Sequence, residues 1–233
     1  GGGARSVREV LAGMREAAKI GFDRRIRLEW LDAIASKRAT GADIRELRRF
    51  AHFLIQRDHP SEKARRNTVT VLLQLWADPP RAASTSTLRD AAARMFGELP
   101  ERQRVVLHWG MALATYPFFR DVAASAGRLL ALQDCVSLQQ IQRRIAERWG
   151  QRSTVERAAQ RIVRSMVDWG TLIEGGQRGT YVVPKPLPVE GRLATWLVEA
   201  LLWGQGASDV AMAQLRHSAP FFPFNVSISV HEL

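Results

Sequence analysis

Apolar residues recur at three- and four-residue steps through the first 97 positions with almost no alternating run, so a series of helices is expected there. Val7, Leu11 and Met14 form one stripe, and Phe22, Ile26, Trp30 and Ile34 a second. Ile44, Leu47, Phe50 and Leu54 form a third, and Val69, Leu72, Leu73 and Trp76 a fourth. The periodicity breaks at Gly41, at His59-Pro60 before Ser61 and at Asp78-Pro79-Pro80, each a helix stop. The small, polar stretch from Arg81 to Thr87 reads as a surface connection ahead of a short helix from Leu88 to Phe96.

Leu99-Pro100-Glu101 opens another helix, since proline is tolerated in a first turn. It runs through Val105, Leu107, Trp109 and Leu113 to Thr115, and Pro117 ends it. A helix from Phe118 to Leu132 follows, with Val122, Ala126, Leu129 and Leu130 on one face. Ser137 is placed to cap the next, whose stripe is Leu138, Ile141, Ile145 and Trp149 and whose end is Gly150. Ser153 or Thr154 is expected to cap the helix after it, with Glu156 three residues past Ser153 as in a capping box. In that helix Ala158, Ala159, Ile162, Val163 and Met166 face inward. Arg157, Arg161 and Arg164 share one outer face with Gln160 beside them.

Gly170 stops this helix, and two β-prone runs follow, Thr171-Leu172-Ile173 and Thr180-Tyr181-Val182-Val183. Between them lies Glu174-Gly175-Gly176-Gln177-Arg178-Gly179, a glycine-rich loop suited to a hairpin turn, and Pro184 ends the second run. The order from Phe118 to Val183 is helix, helix, short turn, helix, hairpin. It resembles the winged helix-turn-helix domain. That resemblance implies that Ser153 to Asp168 enters the major groove of DNA and that Glu174 to Gly179 is the wing. Arg157, Gln160, Arg161 and Arg164 then become candidates for base or phosphate contacts, and Arg152, Thr154 and Arg178 for backbone phosphates. A basic helix face also serves as plain solvated surface, and many winged helices bind proteins, so both readings stay open.

Pro184-Lys185-Pro186-Leu187-Pro188 reads as a stiff connector to an apolar helix from Val189 to Trp203. The closing Asn225-Val226-Ser227-Ile228-Ser229-Val230 alternates with period two, as an edge strand does. It could add to the wing sheet, dock on the bundle, or join a partner's sheet. The expected fold is therefore mainly α: a helical bundle over 1–97, a winged helix-turn-helix domain with a small β-hairpin over 98–185, and a helix-plus-strand appendage over 186–233.

Charge changes this picture. The chain of 233 residues carries 34 Lys+Arg against 23 Asp+Glu, a formal net charge of +11, and 30 of the cations are arginine. Planar guanidinium forks suit phosphate and carboxylate. The excess is +6 in residues 1–78, +2 in 79–113 and +5 in 114–185, and it falls to −2 in 186–233. A polyanionic partner is implied, with double-stranded DNA the natural candidate for the second basic segment. In the first, Arg24-Arg25-Ile26-Arg27, Arg45 to Arg49 and Lys63-Ala64-Arg65-Arg66 are either a second nucleic-acid surface or arginines covering a bundle.

Other classes fall away. Cys135 is the sole cysteine, so disulfides within the chain and cysteine-based zinc sites are excluded. It reads as a small core residue of a protein in a reducing, cytoplasmic compartment. The longest apolar run, Val105 to Phe119, holds His108 and reads as a buried helix rather than a membrane span. Gly1-Gly2-Gly3 lacks the basic and apolar regions of a signal peptide and is set outside the fold. No Walker A, GxSxG or HExxH pattern is present, and the five histidines (His52, His59, His108, His217, His231) suggest no local metal site, so neither cofactor nor metal is expected. The enzymatic alternative is Arg102 to His108, spaced as in HEPN-type ribonucleases, although His108 beside Trp109 also fits a core position.

The layout as a whole resembles the BrxA-type proteins of bacterial phage-defence (BREX) clusters, which are helical, basic and non-enzymatic. That resemblance implies an accessory DNA-binding role in antiviral defence beside larger partners. A protein-interaction scaffold or a transcriptional regulator is the competing reading.

Overall fold

The structure, a computed structural model, describes residues 20–77, 85–206 and 218–227. The stripe Val7, Leu11 and Met14, the stop at Asp78-Pro79-Pro80, residues 81–84 of the expected connection and residues 228–230 of the terminal strand lie outside the described residues. The described chain is mainly helical with small sheets.

Among the described residues the amino-terminal part has four helices: α1 (Leu28–Ala39), α2 (Ile44–Leu54), α3 (Glu62–Trp76) and α4 (Thr85–Glu98). Phe22 and Ile26 are fully buried but precede α1, so the expected second stripe is half helix and half irregular chain. At the start of α2 the Asp43 carboxylate accepts the N–H groups of Arg45 and Glu46, and the Glu46 carboxylate accepts the Asp43 N–H, a complete capping box. Helix α4 starts at Thr85, three residues before the expected Leu88. Arg89, 2% exposed, donates from Nε to the Leu75 carbonyl at 3.0 Å and from Nη2 to the Gln74 carbonyl at 2.6 Å. A buried cation thus serves the carboxy-terminal carbonyls of α3, where the helix dipole favours positive charge.

Helices α5 (Glu101–Thr115) and α6 (Pro117–Leu130) follow. The apolar run Val105 to Phe119 is therefore two helices. Tyr116, in extended conformation, ends one and caps the other because Pro117 supplies the preset first residue of α6. After them come β1 (Cys135–Ser137), α7 (Leu138–Trp149), α8 (Ser153–Asp168), β2 (Ile173–Glu174) and β3 (Thr180–Val182). These three strands form one antiparallel sheet in the order β1-β3-β2, with Val136 opposite Tyr181 and Glu174 on the other side of it. Strand β1 is too short to show a period in the sequence, and it brings the exposed Cys135 to the surface rather than into the core.

Two expectations about the tail change. Leu187–Val189 is not a spacer but β4, pairing in parallel with β5 (Phe224–Val226), Leu187 against Phe224 and Val189 against Val226. Pro188, which has no N–H to offer, is tolerated because among the described residues this sheet has two strands and both are edges. The terminal strand thus pairs with the supposed connector, not with the hairpin sheet. Helix α9 (Gly191–Gln205) starts two residues later than expected and packs on α5. Gly110 permits that approach, since a Cβ there would strike the Trp196 ring.

Aromatic residues from every part of the chain meet. Phe22, Trp109, Tyr116, Phe119, Trp169, Phe222 and Phe224 are linked by ring contacts with centroids 5.1 to 6.2 Å apart. Edge-to-face pairs dominate, as ring quadrupoles favour. Segments read from sequence as separate units therefore share one core, and indole N–H groups fasten it: Trp109 to the Pro220 carbonyl, Trp169 to that of Ile26, Trp196 to that of Leu88.

Candidate nucleic-acid interface

Helix α7 begins with a reciprocal box in which Ser137 Oγ accepts the Gln140 N–H and the Gln140 side chain accepts the Ser137 N–H. Gly150, at φ 82, ends it in a conformation that favours glycine. Helix α8 is built otherwise than its sequence suggests. Arg152 is extended, and its carbonyl accepts from both Val155 and Glu156. Ser153 is therefore the first helical residue and makes no cap. Its Oγ accepts instead from Arg157 Nη2 at 3.0 Å, so no capping box with Glu156 forms.

Val155, Ala158, Ala159, Ile162, Val163, Ser165 and Met166 bury the inner side of α8. Ser153, Arg157, Gln160 and Arg164, at i, i+4, i+7 and i+11, run down the middle of the outer side. Arg157 and Arg164 are exposed and Gln160 is half-buried. The Arg164 charge opposes the rise that burial and the Glu174 carboxylate give the Tyr181 hydroxyl pKa. Arg152 and Thr154 are exposed at the start of α8, and Arg178 is exposed in the β2–β3 loop, whose turn closes at Gly179 with φ 78.

Arg161 differs from its neighbours. It is half-buried on the flank of the helix, and Nη1 donates to the Asp23 carbonyl at 2.8 Å. That contact belongs to a strap over residues 23–28 which sequence reasoning missed. Ile26 N–H donates to Ser165 Oγ at 2.8 Å, Leu28 N–H to Asp168 Oδ1 at 3.4 Å, and Arg25 binds Asp168 Oδ2 through Nη2 at 2.6 Å. The partners lie 138 to 143 residues apart, so no local pattern announces them.

Ion pairing separates two sets of arginines. Arg25, Arg27, Arg38 and Arg66 pair with Asp168, Asp58, Asp90 and Glu62, and on α7 Arg144 and Arg148 pair with Glu147 and Asp121. Among the described residues no carboxylate pairs with Arg152, Arg157, Arg164 or Arg178. These four guanidinium groups are thus not engaged in ion pairs among the described residues. Beside it an open groove of about 780 Å³ between α7 and the start of α8 is lined by amides and by Arg143, Glu147 and Glu156.

His108 is fully buried. The indole N–H of Trp76 can only donate, so Nδ1 of His108 accepts it at 3.1 Å, and the ring proton sits on Nε2 against Asp32 Oδ1 at 2.9 Å. Burial lowers its pKa, opposed by the Asp32 bond, and its place is in the core. Among the described residues no group of His, Cys, Asp and Glu could hold a metal ion, and no helix is long and apolar enough to cross a membrane. Comparison of the chain with protein families, with curated proteins and with solved structures finds no match.

Proposed function

We propose that residues 118–183 work as a winged helix that binds double-stranded DNA without catalysis, α8 entering the major groove and the β2–β3 loop touching the backbone. The observation that carries this reading is the outer ridge of α8: Arg157 and Arg164 flank Gln160, exposed and without a carboxylate partner. The three-stranded sheet in the order β1-β3-β2 and the bond from the Leu138 N–H at the start of α7 to the Gly179 carbonyl in the β2–β3 loop support it. Guanidinium forks match guanine edges and phosphates, and the Gln160 amide matches adenine. Arg152, Thr154 and Arg178 would hold phosphates at either end. An accessory role in a phage-defence cluster rests on the layout resemblance and is tested by the genes beside this one.

Duplex affinity measured across a series of salt concentrations is the test. Binding should fall steeply with salt, and changing Arg157, Arg161 and Arg164 together to alanine should flatten that dependence. Undetectable binding at low salt, or a triple variant that behaves as the native chain, overturns the proposal. The second reading, a protein-interaction module, is favoured by the groove beside Glu147 and Glu156, whose carboxylates repel phosphate. It predicts duplex binding that is absent at low salt or that the triple variant does not alter.

A further inference from the structure

The second basic run of the amino-terminal part, Arg45 to Arg49, takes no part in the α8 surface. Helix α2 turns Leu47 and Ala51 into the core. On its outer side Arg45, Arg49 and Phe53 follow at i, i+4 and i+8, three successive turns of one ridge. Phe53 is 69% exposed, the most exposed aromatic ring among the described residues. Arg57, also exposed, lies four residues further on in the turn after α2. Phe50 is half-buried next to Phe53, and Lys37 Nζ stands 5.9 Å from its ring centroid.

Acidic groups do not cancel this charge. Ile44 to Arg57 holds four arginines, Arg57 included, and one glutamate, and the carboxylates of Asp43 and Glu46 are turned onto main-chain N–H groups at the helix start. Among the described residues no ion pair reaches Arg45, Arg49 or Arg57. An exposed ring gains nothing from water, and cations in line with it invite an anion that also carries a flat apolar face. A nucleobase on a phosphodiester strand has both, and its face is open only when the strand is unpaired. A membrane surface fits less well, because a helix that lies in lipid needs a broad apolar side, whereas here the exposed Phe53 has the exposed Arg49 and Arg57 four residues to either side.

We propose that the outer face of α2 binds single-stranded nucleic acid, one base stacking on Phe53 while phosphates meet Arg45 and Arg49. This site is separate from α8 and does not depend on the duplex reading. The test is fluorescence anisotropy of a labelled oligodeoxythymidine with the full chain. Binding should weaken with salt. Phe53→Ala should weaken it about 5- to 150-fold, the worth of one base–aromatic stack, and Phe53→Tyr should retain it. Arg45→Ala with Arg49→Ala should lower the slope against salt by about 1.4, and the α8 changes Arg157→Ala with Arg164→Ala should leave oligonucleotide affinity unaltered. No binding at low salt, native affinity in Phe53→Ala, or loss through the α8 changes alone overturns the proposal. So does Phe53-dependent capture by phosphatidylserine vesicles without oligonucleotide binding. Phe53 is exposed, so its replacement does not endanger folding.

Discussion

Arg161 on α8 and Asp23, 138 residues earlier, are joined by a 2.8 Å hydrogen bond from guanidinium to main-chain carbonyl. The bond converts one of three arginines at helical spacing from a surface charge into a structural fastener, and it docks residues 23–28 along the flank of α8. Its two ridge neighbours, Arg157 and Arg164, stay exposed.

The three arginines should therefore contribute unequally to duplex binding. Arg157→Ala with Arg164→Ala should lower the slope of log affinity against log salt by about 2, one unit for each phosphate left without its guanidinium. Arg161→Ala should change that slope little and should lower stability instead. Salt titrations of the variants, paired with urea unfolding, separate the two effects.

Ser165 is the buried link between α8 and the strap, accepting the Ile26 N–H at 2.8 Å and donating to the Arg161 carbonyl at 3.0 Å. Ser165→Ala leaves a buried N–H without a partner, which costs about 1–3 kcal/mol. The urea midpoint should fall accordingly. A shift indistinguishable from zero would show that the strap is held by its other contacts alone.

His108 predicts an acid sensitivity. Burial holds its folded pKa below the ordinary value near 6.5, so the unfolded chain takes up a proton more readily than the folded one. The stability tied to this group is complete above pH of about 6.5 and is lost as pH falls toward the lower, folded pKa. His59, whose pKa burial also lowers, adds in the same direction. Imidazole nitrogen resonances followed by NMR should show His108 neutral, with the proton on Nε2, at a pH where the exposed reference histidine is half charged.

Two helical glycines should respond in opposite senses to alanine. A Cβ on Gly127 would collide with the Ala219 carbonyl oxygen, so Gly127→Ala should cost about 1–3 kcal/mol by overpacking and loosen the docking of residues 218–227. Nothing lies within 4 Å of a Cβ on Gly97, and Gly97→Ala should stabilise by about 0.4–1 kcal/mol through the unfolded chain. Thermal melts give the sign of each, and limited proteolysis reports the docking.

Helices were legible wherever one amphipathic face met one core, as in the stripe Val69, Leu72, Leu73 and Trp76, all buried in α3. The same logic marked the inner side of α8 and hence its outer ridge. It failed where burial did not come from periodicity. Phe22 and Ile26 fit a helical spacing yet precede the helix, and the main chain of Ile26 is held instead by Ser165 and Trp169, about 140 residues away. Strands β1 and β4, three residues each, are too short to show a period, and each exists only through a partner strand.

By itself, then, the sequence determined the mainly helical character, the starts of α5 and α7, and the concentration of positive charge in two segments of the chain. Those features depend on residues within one or two turns of each other, where spacing and side-chain chemistry act directly. Only the tertiary structure decided which arginines keep their charge. Arg25 meets Asp168 and Arg148 meets Asp121 across 143 and 27 residues, while no carboxylate comes to Arg157 or Arg164. Charge is written in the chain one residue at a time, but its cancellation requires two groups within about 4 Å, and that distance is fixed by packing alone.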